Sequence, residues 1–305
     1  MTAPLLSISA VERETGLNKE TLRVWERRYG FPTPQRGAQG ERAYALAQIE
    51  KLRVVKRLID AGHRPGRLVP LPLDELLLLN GQGDGNRLAE DDSRSRSEPA
   101  TLLALLTANQ GAQLRLHLRQ LQARLGLGAF VTEVVAPTNR LVGEAWMRGQ
   151  LEIYQEHNYT ETLQGVLRAG ILSLAEASAT QRPRVLLSTL RGEPHGLGLL
   201  MAEAVLGAEG AHCIALGVQT PVWDLVLAVQ AYQADVVALS FMDCMNSRQV
   251  RAGLGELKSK LPSTVEVWAG GSAQTLHRQP VQGVVAMKSI TEIAAHLIRW
   301  RAAQP

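Results

Sequence analysis

Three rhythms of apolar and polar positions follow one another along the chain. Up to about residue 72 the apolar positions come in short helical bursts broken by Gly and Pro. A first burst starts at Ser7-Ile8-Ser9-Ala10-Val11-Glu12, where Ser9 and Glu12 have the spacing of a capping box. Gly16 interrupts it. Lys19–Tyr29 forms a second helix that Gly30 ends, with Leu22 and Trp25 turned inward at i, i+3. Phe31-Pro32-Thr33-Pro34 is barred from helix. Gly37–Gly40 suits a hairpin loop, and Gln48–Ala61 reads as a further helix with Leu52, Val55 and Leu58 inward.

Residues 99–178 keep a helical period throughout. Leu114, Leu118, Leu121 and Leu125 recur at four, three and four, and four helices of 12–20 residues fit the span, a small bundle. After Pro183 the rhythm changes again. Short apolar runs at Arg184–Leu190, His212–Gly217, Val236–Phe241, Val265–Gly270 and Val284–Lys288 alternate with helical stretches at Leu197–Leu206, Val222–Gln233, Ser247–Lys260 and Ile290–Arg301. The runs are continuously apolar, as strands buried on both faces should be. Strand-helix alternation predicts a doubly wound parallel sheet that receives ligands at the C-terminal ends of its strands. The fold class is therefore a multidomain α and α/β protein. It comprises a winged helix-turn-helix (1–75), a central four-helix bundle (99–180) and a Rossmann-like (flavodoxin-like) five-stranded domain (181–305). A Gly/Asp/Ser/Arg-rich linker at 80–98 separates the first two.

Composition narrows this little: 305 residues, 45% apolar and 20% charged, is ordinary globular usage. No stretch nears the ~20 apolar residues of a spanning helix. Met1–Ser9 lacks a signal-peptide pattern, so a cytoplasmic location with no membrane partner is expected. Cys213 and Cys244 are the only cysteines, which gives no disulfide framework and no zinc knuckle. Charge is more telling once divided. Residues 1–72 hold 13 Lys+Arg against 7 Asp+Glu, +6 of a total of +4, leaving −2 for the rest. A basic head on a near-neutral body suggests a polyanionic partner.

Helix, tight turn, then a helix rich in basic side chains is the helix-turn-helix plan. The runs LRVWERRYGFPTPQR and GERAYALAQIEKLRVVKRLIDAG closely resemble the MerR family of winged-helix transcription regulators over residues 5–72. The resemblance implies dimers on an inverted repeat of double-stranded DNA, with RNA polymerase as a further partner. It places Thr21, Arg23, Arg27, Arg28, Arg36, Arg42 and Tyr44 at phosphates or base edges. The cysteines with which metal-sensing members bind thiophilic ions are absent from the corresponding stretch.

In the last domain, the loop after the first strand contains Glu193-x-His195-x-x-Gly198. Glu193 could orient and polarise the His195 ring. On its own, Glu-x-His is more often a structural or surface pair. In this order it resembles the base-off, His-on cobalamin-binding signature. That likeness implies His195 as the metal ligand below cobalt, with Gly198, Thr220, Ser240, Gly270 and Gly271 around the nucleotide tail. Earlier in the chain, Trp146 precedes Glu156-His157 by nine intervening residues, similar to the light-sensing cobalamin-dependent MerR-type regulators. There Trp146, Met147, Glu156 and His157 would line the upper face of the cofactor, adenosylcobalamin, whose photolysis dissolves a repressing tetramer. Those photoreceptors have a histidine at the position of Met147.

No phosphate-binding loop, H-E-x-x-H or G-x-S-x-G motif is present, and Asp243, Cys244 and His277 show no nucleophile-base spacing, so no catalytic residue is assigned. The expectation is a regulator that senses cobalamin, through light or directly, by changing oligomeric state. One alternative is a MerR-type regulator whose cobalamin-like domains serve only as an oligomerisation or partner-binding scaffold. Another is a cobalamin-presenting subunit of an enzyme.

Overall fold

A computed structural model describes residues 5–36, 40–60, 63–81, 97–178, 181–242 and 245–303. The chain divides into two compact units, Met1–Asp92 with Gly143–Glu152, and Ser93–Val142 with Ile153–Pro305.

In the first unit, strand β1 (Leu5–Ser7) leads into helix α1 (Ile8–Thr15). The helix starts two residues earlier than the Ser9–Glu12 spacing predicts. Ser7 is the cap, its hydroxyl accepting from the Ala10 N–H at 3.3 Å, while the Glu12 carboxylate accepts from the N–H of Lys19 at 3.2 Å. Gly16, at φ 68°, closes α1 in the left-handed conformation that favours glycine. Asn18 caps α2 (Lys19–Tyr29), accepting from Thr21 N–H at 2.7 Å. Strands β2 (Gln35–Arg36) and β3 (Arg42–Ala45) pair antiparallel, and β1 joins on the other side of β3. Residues 37–39 of the expected hairpin loop lie outside the described residues. Helix α3 (Leu46–Asp60) buries Leu52, Val55 and Leu58 against Leu22 and Trp25 of the same core. Two helices not anticipated from the pattern follow, α4 (Pro65–Leu68) and α5 (Leu73–Gly81). Most of the expected linker, residues 82–96, lies outside the described residues.

The second unit opens with α6 (Glu98–Thr107) and α7 (Gly111–Leu125). Glu98 ties them, bonding His117 Nε2 at 2.8 Å and Arg124 at 2.9 Å. Next comes one helical run made of α8 (Leu127–Ala129), a π-helical segment (Phe130–Val135) and α9 (Ala136–Met147). The Ala136 N–H reaches back five residues to the Val131 carbonyl. Pro137 follows and has no N–H to continue a regular ladder, which fits a widened turn at this point. Helix α10 (Ile153–Ser178) completes the four helical segments, and its buried Gln155 donates to the Thr107 carbonyl at 3.2 Å, tying it to the end of α6.

The five expected strands are present and all parallel: β4 (Arg184–Leu190), β5 (His212–Thr220), β6 (Val236–Phe241), β7 (Glu266–Gly271) and β8 (Val284–Ala286), in the order β5-β4-β6-β7-β8. The second strand, expected to end at Gly217, continues to Thr220. Helices α12 (Val222–Tyr232) and α13 (Ser247–Lys260) cover one face, their Leu225, Val229, Val250 and Leu254 packing on Leu186, Val237 and Val267. Helices α11 (Leu197–Ala208) and α15 (Glu292–Ala302) pack together on the other, and α14 (Thr275–Arg278) is a single turn after β7. The bundle rests on α11. There Tyr159 of α10 donates to Asn139 at 2.6 Å, and the Asn139 amide donates to Met201 Sδ at 3.1 Å. Burial pushes the Tyr159 phenol far above its ordinary value, so it stays a neutral donor.

Candidate functional site

On the head, α2 turns Leu22 and Trp25 into the core and leaves Arg23, Arg27 and Arg28 exposed on its other faces, with Arg36 exposed on β2. Thr21 is half-buried in the first turn. Arg42 is half-buried and held by Glu26 of α2 at 2.9 Å, which raises its pKa and fastens the hairpin to the helix. Tyr44 corrects the expectation of a DNA contact. It is fully buried, because alternation along β3 points it into the core, and among the described residues its hydroxyl has no hydrogen-bond partner. Burial raises its pKa, so it remains a neutral phenol.

In the second unit the strand order reverses between β4 and β6. A doubly wound sheet opens a crevice at such a point. The loop after β4 is fastened from its base: Thr189 donates to the Glu193 carbonyl at 2.6 Å and accepts from the Gln219 N–H at 2.8 Å. This places the Glu193 side chain, wholly buried, between the two diverging strands. One carboxylate oxygen accepts from the N–H of Met242, just beyond β6, at 2.7 Å. The other accepts from the His195 N–H at 3.1 Å and from His195 Nδ1 at 2.6 Å. The imidazole stays about half exposed, at 52%. A buried carboxylate that holds one ring nitrogen sets the tautomer and the direction of an imidazole ring.

Beside this loop a cavity of about 350 Å³ opens between the sheet, α11 and α9. Gly198, Ser240, Gly270 and Gly271 line it together. A Cβ at Gly198 would come within 2.8 Å of Ser240 Oγ, and Gly271, at φ 113°, sits where a Cβ would overlap the Phe241 carbonyl. The cavity is mostly apolar, with Trp268 and Met287 on its wall. Thr220 stands apart, bound to Ser188 Oγ at 2.7 Å across the β4–β5 pair.

The upper-face candidates are spread along the chain. Glu156 and His157 lie at the start of α10 with their side chains 3.7 Å apart, Thr160 donating to Glu156 at 2.7 Å and His157 exposed. Trp146 is half-buried near the end of α9, in the segment that groups with the first unit. The side chain of Met147 lies outside the described residues, as does Cys244. Cys213 is partly buried in β5, and burial pushes its thiol up to about 12. Among the described residues no three His, Cys, Asp or Glu converge on a metal-sized space. The donor set here is thus a single oriented imidazole beside a large cleft, which fits a metal held in its own macrocycle. The Gln219–Thr189 and Met242–Glu193 contacts carry no local sequence signal, since they join residues 30 and 49 positions apart.

The chain matches the MerR HTH family regulatory protein family over residues 6–68 and the B12 binding domain family over residues 183–292. It is 34% identical over 269 residues to the HTH-type transcriptional repressor CarH of Myxococcus xanthus, covering 86% of this chain and 87% of that protein. It is 27% identical over 312 residues to the repressor CarA of the same organism, with 98% of each chain covered. A solved Methanosarcina barkeri monomethylamine corrinoid protein shares the fold, with a TM-score of 0.53 at 15% identity over 68% of this chain and 99% of that one. The protein is a DNA-binding transcription regulator rather than an enzyme. It belongs to the MerR-type regulators that carry a B12-binding domain. Among the described residues no helix is long and apolar enough to cross a membrane.

Proposed function

We propose that the protein binds adenosylcobalamin, with His195 Nε2 as the atom that would hold its cobalt, and that binding changes its oligomeric state and so its hold on an inverted repeat in duplex DNA. The observation that carries this is the buried Glu193 fastening a half-exposed His195 at the sheet's switch point, beside a cavity walled by Gly198, Gly270 and Gly271. Glu193 orients the ring and, through Met242, holds the loops after β4 and β6 together. Ser240 and the glycines leave room for the nucleotide tail. Trp146, Met147, Glu156 and His157 would cover the opposite face. The cofactor supplies a cobalt–carbon bond that light can break.

Arg23, Arg27, Arg28 and Arg36 are the side chains that would meet phosphates, with Thr21 and Arg42 beside them. A second copy of the chain supplies the other half-site, and RNA polymerase would be met at the promoter. Thioether sulfur is a poorer ligand for Co(III) than imidazole. Met147 therefore favours a second reading, in which cobalamin itself is the signal and light is not. The test is a visible spectrum of the full chain mixed with adenosylcobalamin in the dark, desalted, read, illuminated and read again. Retained base-off cobalamin that is lost in His195→Ala supports the ligand assignment. A light-induced change then favours the photoreceptor, and a silent spectrum favours the chemical sensor. Protein that retains no cobalamin sinks both and leaves the scaffold alternative.

A further inference from the structure

The cavity next to the His195 loop has an unusual charge pattern. Its lining contains two cationic side chains, Arg140 of α9 and Lys288 just after β8, and no Asp or Glu. Both residues are exposed, so they stand where the apolar interior meets solvent. Neither side chain is in an ion pair among the described residues. Arg124, Arg148 and Arg182, by contrast, are each paired with a carboxylate. The Lys288 backbone N–H donates to the Glu292 carboxylate at 3.3 Å, while its ammonium stays out of any ion pair. Two such cations on one cleft raise the local concentration of an anion and gain charge-assisted hydrogen bonds when it docks. The apolar wall behind them suits an anion carried on a molecule with a bulky nonpolar part.

We infer that Arg140 and Lys288 form an anion subsite that pairs with the phosphodiester of a corrinoid's nucleotide loop and selects complete corrinoids over those lacking the loop. This rests on the cobalamin reading above and adds a specificity device to it. Arg140 comes from the bundle, and Lys288 lies beyond the last strand of the sheet, so an anion shared between them bridges the two layers. The guanidinium can present two parallel N–H groups to phosphate oxygens, and the ammonium adds a point charge.

The test uses the full chain in the dark. It compares a cobalamin with cobinamide, which keeps the corrin ring and cobalt but lacks the nucleotide and its phosphodiester. Arg140→Gln, Lys288→Gln and the double variant are titrated with each, and their folding is checked by thermal melting without corrinoid. Each single change is expected to weaken cobalamin binding by roughly three- to tenfold at low salt, and the double change by more. The deficit should shrink as salt rises, and cobinamide binding should not change. Arg140→Lys should recover part of the loss. Equal losses for both corrinoids, or none in the double variant, overturn the subsite while leaving the cobalamin reading intact. Wild-type protein that binds neither corrinoid overturns both.

Discussion

Glu193 accepts hydrogen bonds from two atoms of His195, the backbone N–H at 3.1 Å and the ring Nδ1 at 2.6 Å, with its own side chain wholly buried. The second oxygen binds the Met242 N–H, so one carboxylate spans the point where β4 and β6 diverge. Ring orientation and loop spacing are therefore set by the same group.

Removing that group should harm ligand and fold together. Glu193→Gln keeps the volume, but one amide end must face a backbone N–H it cannot satisfy. We expect a 10- to 100-fold loss of cobalamin affinity in spectral titrations, the usual cost of disturbing a ligand's hydrogen-bond partner. Glu193→Ala should in addition lower unfolding stability by about 1–3 kcal/mol, because buried donors lose their acceptor. An affinity equal to wild type in Glu193→Gln would remove the orienting role.

Gly271 has a φ of 113°, which favours glycine, and the Phe241 carbonyl lies where a Cβ would have to go. Gly271→Ala must shift the end of β7. We expect a loss of about 1–3 kcal/mol in chemical unfolding of the second unit, and less retained cobalamin after desalting. Unchanged unfolding would mean that the strand end relaxes without strain.

Tyr44 and Arg27 should behave oppositely in the head. Tyr44→Phe removes a buried, unpartnered hydroxyl, so stability should hold or rise by up to about 1 kcal/mol, with operator affinity unchanged. Arg27→Ala removes an exposed cation from α2. It should weaken DNA binding across sequences and lower the slope of log affinity against log salt by about one. Gel-shift titrations at several salt concentrations read both, and a DNA-binding defect in Tyr44→Phe would restore that residue to the interface.

Acid should loosen the start of the bundle. The hydrogen bond to His117, helped by Arg124, holds the Glu98 carboxyl below its ordinary range. A depressed folded pKa contributes stability above the unfolded value of about 4.3, and that contribution is lost as pH falls through the folded one. Glu98→Gln should be less stable than wild type at neutral pH by a small margin, since the site is partly exposed. The two should converge in strong acid. A gap that widens as pH falls would contradict the assignment.

Much of the architecture could be read from residue order alone. Continuous apolar runs marked all five strands, because a strand covered on both faces needs no polar side, and α11, α12, α13 and α15 were legible to within a few residues, though the single turn α14 was not. The basic outer face of α2 followed from the inward spacing of Leu22 and Trp25. The Glu-x-His loop was visible for the same reason, as both residues lie within one local turn. Local misreadings came where two neighbours could serve equally, as at Ser7 and Ser9. The short α4 and α5 lacked a period long enough to mark them.

Other features depended on tertiary structure. Whether Tyr44 faces DNA or core depends on which side of β3 the helices cover, and both faces of a short strand look alike in sequence. Met242 reaches Glu193 only because β6 lies beside β4, and Thr189 supports Gln219 only through the register of β4 on β5. Arg140 and Lys288 are 148 positions apart and share a cavity only once the bundle rests on α11. Periodicity along a chain encodes which face is buried, since that is a property of each segment. Which distant residues converge is decided by strand order, register and packing, which no single segment contains.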